Sequence, residues 1–228
     1  MSLEQNLKDV LNKIKKEKEK SSFKQDVQLI AVTKTRPISI IKECCNLGVR
    51  NIGENRVQEA AEKFIHFDGF EKTKKRFIGH LQTNKVNKCL NLFDTVDSVD
   101  SYRLASKIDT SARNKNIKIE CLLEINTSGE KQKHGFKPEI NKELLSCFDL
   151  KNLNITGLMT VGPNTQDKNK IRKSFSLLRE IKENINENIN TNVLTELSMG
   201  MSGDYDIGIQ EGSTMVRVGT GLFGKREY

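Results

Sequence analysis

The sequence is poor in residues and segments that would divide it into parts or anchor it in a membrane. Of its 228 residues only three are proline, tryptophan is absent, and aromatic residues make up 6%. No apolar run approaches the roughly 20 residues that cross a bilayer, so we expect no membrane partner. The N-terminal stretch MSLEQNLKDVLNKIKKEKEK also lacks the apolar core of a signal peptide, which predicts a cytoplasmic protein. Because neither a linker nor a repeat is present, residues 1–228 are expected to form a single domain.

Cysteine is too scarce and too irregularly spaced to indicate a disulfide framework or a zinc site. There are five cysteines, an odd number, and none of them forms a C-x-x-C pair or has a histidine at ligand spacing. No metal site is therefore predicted. We expect reduced thiols, most of them buried, at Cys44, Cys45, Cys89, Cys121 and Cys147.

The total charge points to an anionic partner, but its distribution does not. The 38 basic and 30 acidic residues leave a formal net charge of +8. The basic segment KIKKEKEK alternates in sign as a solvated helix face does. No basic run is interleaved with aromatic residues that could stack on bases, so we expect no nucleic-acid partner.

Short β-branched segments alternate with longer helical segments, after one helix at the N-terminus. The first 22 residues carry an apolar stripe, which predicts a helix that packs on the core, at Leu3, Leu7, Val10, Leu11 and Ile14. Eight strands are expected at 27–33, 49–53, 76–80, 95–99, 117–126, 155–161, 193–199 and 214–219. Helices are expected between them, at 38–47, 54–67, 101–115, 138–148, 167–188 and 204–211. This alternation predicts an α/β fold, a single-domain (β/α)8 TIM barrel, rather than an open doubly wound sheet.

Functional residues of such a barrel lie at the carboxyl ends of its strands, and two of these ends suit an anion. The loops SMGMSGD and RVGTGLFG follow strands seven and eight. Their small residues let backbone N–H groups approach a phosphate, with Ser198, Ser202 and Thr220 as hydroxyl donors. Glycine and serine also dominate ordinary turns, so flexible turns are the alternative interpretation.

Two cationic side chains are expected to point into the same barrel. Alternation along TMVRVG places Met215 and Arg217 on the face opposite to the two valines. The same parity along LIAVTK places Lys34 with Ile30 and Val32. Lysine forms Schiff bases with carbonyl compounds once desolvation or a neighbouring cation favours its free amine, and strands one and eight adjoin in a closed barrel. These residues predict a pocket for a phosphorylated carbonyl compound.

Several segments, taken in order, resemble one known family. They read IAVTKTR, GENRVQEA, FIGHLQTNK, EINTSGEKQKHGF, GLMTVGP, LSMGMSGDYDIGIQEGSTMVRVGTGLFG and REY. They resemble the pyridoxal-phosphate homeostasis protein family, and the N-terminal helix carries little of the likeness. The resemblance implies a barrel similar to the N-terminal domain of alanine racemase, with pyridoxal 5′-phosphate (PLP) as its cofactor.

The resemblance also implies roles for particular residues. Lys34 would hold PLP as a Schiff base, Arg217 would face the pyridine nitrogen, and the phosphate would be bound by Ser198, Gly219 and Thr220. An arginine at the pyridine nitrogen keeps that nitrogen unprotonated. The ring is then a weaker electron sink than in enzymes that place an aspartate there.

Residues at two other strand ends have alternative interpretations. Asn55 is expected to contact the cofactor, but it can instead cap the helix that follows. His80 also matches a segment of the family, but a core histidine with satisfied hydrogen bonds is the favoured interpretation. His134 is expected in a surface loop.

Our leading hypothesis is a PLP-binding protein of vitamin B6 homeostasis, with no strong catalytic activity. The chain ends soon after strand eight, without the second domain with which alanine racemases dimerise and place a tyrosine on the opposite face of the cofactor, so we expect a monomer. A PLP-dependent amino-acid racemase is the alternative function. A third hypothesis is a Schiff-base aldolase that acts on a sugar phosphate. The resemblance also implies PLP-dependent apo-enzymes as candidate partners.

Overall fold

The computed structural model describes residues 2–224 and shows a closed barrel of parallel strands. Within these residues the strands are β1 (Gln28–Val32), β2 (Asn51–Glu54), β3 (Lys74–Phe77), β4 (Thr95–Val99), β5 (Ile119–Glu124), β6 (Leu153–Met159), β7 (Glu196–Met201) and β8 (Met215–Val218). Each strand pairs with its neighbours in chain order, and β8 closes the barrel on β1, where Ile30 lies beside Arg217. The expected (β/α)8 architecture is therefore confirmed.

Helices connect the strands and cover the outside of the barrel. In the described part of the chain they are α1 (Leu3–Lys20), α2 (Ile38–Asn46), α3 (Val57–Phe64), α4 (Val86–Cys89), α5 (Tyr102–Asn114), α6 (Lys142–Leu145), α7 (Lys168–Asn188), α8 (Tyr205–Gln210) and α9 (Thr220–Phe223). Side-chain oxygens of Ser2, Ser101 and Asn141 accept backbone N–H groups and so fix where α1, α5 and α6 begin. No helix among residues 2–224 is both long and apolar enough to cross a bilayer.

Some element boundaries differ from the sequence-based prediction. The third strand, expected at 76–80, ends at Phe77. The helix expected at 138–148 begins after the Asn141 cap and continues after one turn as a 3-10 helix, Ser146–Asp149. The short helices α4 and α9 are absent from the prediction, because four residues carry too little periodicity to be recognised.

The N-terminal helix α1 packs on the outside of the barrel, as expected. Leu7, Val10 and Ile14 are buried in a cluster that also contains Val216 of β8 and Leu222 of α9. The amide of Asn6 donates to the Leu222 carbonyl oxygen at 2.9 Å, which fixes α1 against α9. Helix α1 therefore covers the side of the barrel on which β8 closes onto β1.

The barrel interior is filled in layers, so it is a packed core and not a channel. Near the amino ends of the strands, the buried Arg76 guanidinium donates to both carboxylate oxygens of Asp97, at 3.1 and 3.0 Å. The next layer is apolar and consists of Ile30, Leu122, Met159 and Met215. Arg217 and Glu124 lie beyond it, toward the carboxyl ends of the strands. The packed lower layers confine any ligand to the mouth at those carboxyl ends.

All five cysteines lie in the described part of the chain, where they are unpaired and buried, so the expectation of buried free thiols is confirmed. Burial raises the pKa of Cys44, Cys89 and Cys147 to about 12. These groups therefore remain protonated thiols, which are poor nucleophiles.

Candidate functional site

The loop after β1 holds Lys34 in a tight turn at the barrel mouth. Lys34 is half-buried, and the N–H of Arg36 donates to the Thr33 carbonyl oxygen at 3.0 Å, which closes the turn around it. Thr35 has a φ of 64°, a left-handed conformation that is unfavourable for a β-branched residue. The surrounding structure must therefore hold this turn in place.

A charged cluster behind the turn holds the residues on both sides of Lys34. The ammonium group of Lys63 donates to the Thr33 carbonyl oxygen at 2.9 Å and to Oε1 of Glu59 at 2.6 Å. The same Glu59 oxygen accepts the backbone N–H of Thr35 at 2.5 Å. Lys63 and Glu59 both lie on α3, so the first turns of this helix position the lysine loop.

Glu54, at the end of β2, completes this cluster in a fully buried position. Its Oε1 accepts hydrogen bonds from Lys63 and from the Thr33 hydroxyl, each at 2.8 Å. Oε2 of Glu54 is buried and has no hydrogen-bond partner within residues 2–224. Burial raises the pKa of Glu54, although Lys63 opposes the shift. For Glu59 burial acts in the same direction, but the bonds from Lys63 and Thr35 outweigh it and lower the pKa.

Arg217 points into the barrel, as the strand alternation predicts. Its guanidinium donates to the carbonyl and hydroxyl oxygens of Ser198, at 2.8 and 2.7 Å, and to the Thr160 carbonyl oxygen at 2.7 Å. Within residues 2–224 these bonds use at most three of its five N–H groups. No carboxylate of the described residues forms an ion pair with it. Burial lowers the pKa of Arg217, and the more distant carboxylates of Asp204 and Glu124 oppose the shift.

Glu124 is a buried carboxyl group at the mouth that the sequence analysis did not single out. It ends β5, and its pKa is raised to about 7, first by burial and then by the charge of Asp100, while Arg217 and His80 oppose the shift. A signal was present in IKIECLLEIN, because alternation places Glu124 on the same face as Leu122, which lies in the interior. An acidic group therefore faces Arg217 across the mouth.

The loops after β7 and β8 meet at the hydroxyl group of Ser202. Its Oγ accepts the backbone N–H groups of Gly219 and Gly221, each at 3.2 Å. Two amide donors of the loop after β8 thus converge on one oxygen of the loop after β7, and phosphate binding by these loops stays a prediction. Thr220 lies between them and is exposed. Ser198, predicted for the same loops, is fully buried and lies against Arg217 instead.

The remaining predicted residues lie at the ends of β2, β3 and β5. Asn55 is half-buried, and it does not cap α3, because the cap position is occupied by Arg56, which makes no side-chain cap bond within the described residues. A Cβ atom on Gly79 would lie 2.2 Å from the Asn55 carbonyl oxygen, so only glycine fits here. The interpretation of His80 as a core histidine is wrong, since 45% of its side chain is exposed. His134 lies in a surface loop, as predicted.

The sequence comparisons agree with this fold. Residues 5–227 match the family described as alanine racemase, N-terminal domain, which defines the class of barrel. The chain is 38% identical over 224 residues to the pyridoxal phosphate homeostasis protein of Aquifex aeolicus, covering 97% of each sequence. It is also 38% identical over 213 residues to the human protein of the same name, covering 88% of this chain and 77% of that one. This chain therefore belongs to the pyridoxal phosphate homeostasis protein family.

Solved structures show the same fold. PipY from Synechococcus elongatus PCC7942, solved with PLP bound, superposes with a TM-score of 0.84 at 31% identity, covering 98% of this chain and 100% of PipY. An alanine racemase from Clostridium difficile 630 superposes with a TM-score of 0.73 at 19% identity. This chain covers 57% of that racemase, and the likeness extends to the fold alone.

Proposed function

We propose that this protein binds PLP, holds it covalently at Lys34 and serves PLP homeostasis rather than strong catalysis of its own. The observation that carries the proposal is the position of Lys34. It lies half-buried at the carboxyl end of β1, next to β8, and at the same mouth two backbone amides of the loop after β8 converge on the Ser202 hydroxyl group of the loop after β7. The proposal is supported by the name of the Aquifex relative and by the PLP bound in PipY.

The donor set at the mouth fits a phosphorylated pyridine aldehyde. The amides of Gly219 and Gly221, which here donate to Ser202 Oγ, are neutral donors of the kind that bind phosphate, and Thr220 adds an exposed hydroxyl group. We propose that Gly219 and Thr220 bind the phosphate, as the resemblance implies. Ser198, which the resemblance also implies, is fully buried, and its hydroxyl oxygen already accepts a hydrogen bond from Arg217. We add Ser202 to this set, because its hydroxyl group holds both amides together.

Arg217 is proposed to face the pyridine nitrogen of PLP. A guanidinium group keeps its proton, so it can only donate a hydrogen bond, and a ring nitrogen beside it stays unprotonated. Bound PLP supplies an aldehyde for the lysine amine and a ring that withdraws electrons, weakly when its nitrogen is unprotonated. Asn55 is proposed to contact the cofactor, since its half-buried side chain makes no hydrogen bond within residues 2–224.

An amino-acid racemase, the alternative function, needs an acid and a base on opposite faces of the substrate carbon. Tyr102 is partly exposed at the start of α5. The ring of Tyr205 packs in the cluster beneath α1, with the Lys13 ammonium 4.6 Å from its centroid. Tyr228 lies outside the described residues. Neither described tyrosine is a ready partner for Lys34, which favours the homeostasis function.

The proposal is tested by the absorption spectrum of the purified protein before and after borohydride reduction. The wild type should show a visible band that reduction bleaches, and mass spectrometry should locate the reduced adduct on Lys34. Lys34→Ala should lack the adduct. Lys107→Ala is the matched control, because Lys107 is exposed on the outer helix α5, and it should behave as the wild type does.

Two outcomes would contradict parts of this proposal. A wild-type protein that stays colourless and takes up no added PLP would contradict PLP binding itself. Exchange of the α-proton of alanine in deuterated solvent, with interconversion of its enantiomers, would favour the racemase instead. The single-domain organisation of residues 1–228, the cytoplasmic location, the monomeric state and the apo-enzyme partners remain predictions from the sequence.

A further inference from the structure

Two histidines and one aspartate converge at the side of the barrel mouth away from Lys34. His80 follows β3, Asp100 directly follows β4, and His134 lies in the loop after β5. Oδ2 of Asp100 is 3.0 Å from Nδ1 of His80 and 3.9 Å from Nδ1 of His134. Lys34 follows β1, and the loops that meet at Ser202 follow β7 and β8, so this group lies across the mouth from Lys34 and these loops.

We propose that His80, Asp100 and His134 form a binding site for a divalent transition-metal ion of the zinc class. Ligand atoms that lie about 2 Å from a tetrahedral zinc ion are about 3.3 Å from one another. One ligand atom from each of these three residues lies within 4.8 Å of the other two. Because both imidazole rings are exposed, rotation about their side-chain bonds can turn them out of the stacked arrangement and bring the three ligand atoms closer together.

The carboxylate of Asp100 is oriented for this role. Its Oδ1 accepts a hydrogen bond from the Ser101 hydroxyl group at 3.1 Å. The other carboxylate oxygen, Oδ2, faces both histidines. The carboxylate is 90% buried, because only 10% of the side chain is exposed. Hydrogen bonds that orient a ligand from behind are typical of protein metal sites.

The two histidines lie face to face above this oxygen. Their ring centroids are 3.7 Å apart, and the ring planes differ by 11°. Nδ1 of His80 is hydrogen-bonded to Oδ2 of Asp100 at 3.0 Å, and a shift of the ring proton to Nε2 turns this nitrogen into a lone-pair ligand for a cation.

The backbone around the ligands is rigid, which favours a preformed site. The carbonyl oxygen of Gly79, next to His80, accepts the Ser98 hydroxyl group at 2.5 Å. In the loop of His134, the N–H of Phe136 donates to the Glu124 carbonyl oxygen at 2.7 Å. The ammonium group of Lys133 donates to the Gly162 carbonyl oxygen at 2.6 Å, which ties the same loop to the end of β6.

The chemistry of the ligands selects the ion. Two imidazole nitrogens and one carboxylate oxygen suit zinc, cobalt, nickel or copper, whereas magnesium and calcium prefer oxygen ligands. Three protein ligands leave at least one coordination position open, as in exchangeable or catalytic zinc sites and unlike closed structural sites. The exposed imidazoles, 45% and 55% for His80 and His134, agree with an ion that exchanges with solvent.

The test is a titration of the full-length, tag-free protein with Zn²⁺ and, in parallel, with Co²⁺, whose visible absorption reports the coordination geometry. The wild type should bind one equivalent of each ion. His80→Ala and His134→Ala should each weaken binding at least tenfold. The third histidine, His66, is exposed and lies outside the cluster, so His66→Ala is the matched control and should bind as the wild type does.

Each remaining outcome decides against the site. Equal Zn²⁺ affinity in wild type, His80→Ala and His134→Ala would show that the histidine pair is only a hydrogen-bonded surface pair. A sulfur-to-cobalt charge-transfer band would assign the ion to a cysteine instead. Circular dichroism of each variant controls for folding, and PLP uptake, measured separately, keeps this test independent of the proposed function.

Discussion

Replacing Lys63 by methionine tests whether the charged cluster behind Lys34 positions the lysine turn. The Lys63 ammonium group donates to Glu54 at 2.8 Å, to the Thr33 carbonyl oxygen at 2.9 Å and to Glu59 at 2.6 Å. Methionine preserves most of the volume of the lysine stem but donates none of these bonds. The variant should lose both stability and affinity for PLP.

The loss of stability follows from the burial of Glu54, whose side chain is fully inaccessible. Removing one partner of a buried ion pair costs about 3–5 kcal/mol, because the other charge stays buried without compensation. Burial already raises the pKa of Glu54, so at low pH the carboxyl group takes up a proton and the penalty shrinks. We expect urea unfolding to show a smaller loss of stability at pH 5 than at pH 8.

The loss of affinity follows from the residues on either side of Lys34. Lys63→Met removes one bond to Thr33 and one to Glu59, which in turn holds the N–H of Thr35. Two hydrogen bonds of about 1 kcal/mol each amount to about 2 kcal/mol, or about thirtyfold in the dissociation constant for PLP. Absorbance titration with PLP measures this change.

The double variant Glu54→Met/Lys63→Met separates the two effects. It removes both buried charges, and apolar replacement of a buried ion pair is often neutral. Most of the stability should therefore return, while the affinity for PLP stays low. Wild-type affinity in the stable double variant would falsify the positioning role of Lys63.

Three further predictions concern buried groups away from the lysine turn. Glu124, with a pKa raised to about 7 by burial and Asp100, takes up a proton on folding, so its contribution to stability is lost as pH rises from about 4.5 to 7. In urea unfolding in a chelating buffer, the free energy of unfolding of Glu124→Gln should equal that of the wild type at pH 4.5 and exceed it by about 3 kcal/mol at pH 8. A difference that does not change with pH would contradict this prediction. Arg76→Met should lower the free energy of unfolding by about 3–5 kcal/mol, because it leaves the buried Asp97 carboxylate without its cationic partner. A loss below about 1 kcal/mol in the same assay would refute this prediction. The five buried cysteines should not react with Ellman's reagent in the native protein at pH 8 and should all react in urea, and rapid native reaction of any thiol would show an unrecognised exposed sulfur.

Alternation and strand counting predicted much of the barrel because they are local properties. The strand 95–99 was predicted at its observed bounds, and the inward direction of Arg217 followed from the two valines beside it. Short helices and the exact end of β3 could not be predicted in this way. They depend on close contacts between strands, such as that of Gly79 with the Asn55 backbone.

The candidate site was predicted in part, for the same reason. Lys34 and the glycine-rich loops could be recognised because each is contained in one continuous segment at the end of a single strand. The convergence of Ser202 on Gly219 and Gly221 could not, since it joins two loops. His80 was interpreted as a core residue, because nothing local shows that a side chain at a barrel mouth remains exposed.

The sequence by itself determined the order of elements, the parity of each strand and therefore which side chains enter the barrel. Hydrophobic periodicity carries this information, because it is repeated every two residues along a strand. Only the tertiary structure decided which distant residues meet, as in the pair Lys63 and Glu54 behind the lysine turn and the cluster of His80, Asp100 and His134. Closure of the barrel determines these contacts, because it brings the ends of strands that are far apart in the sequence together around one mouth.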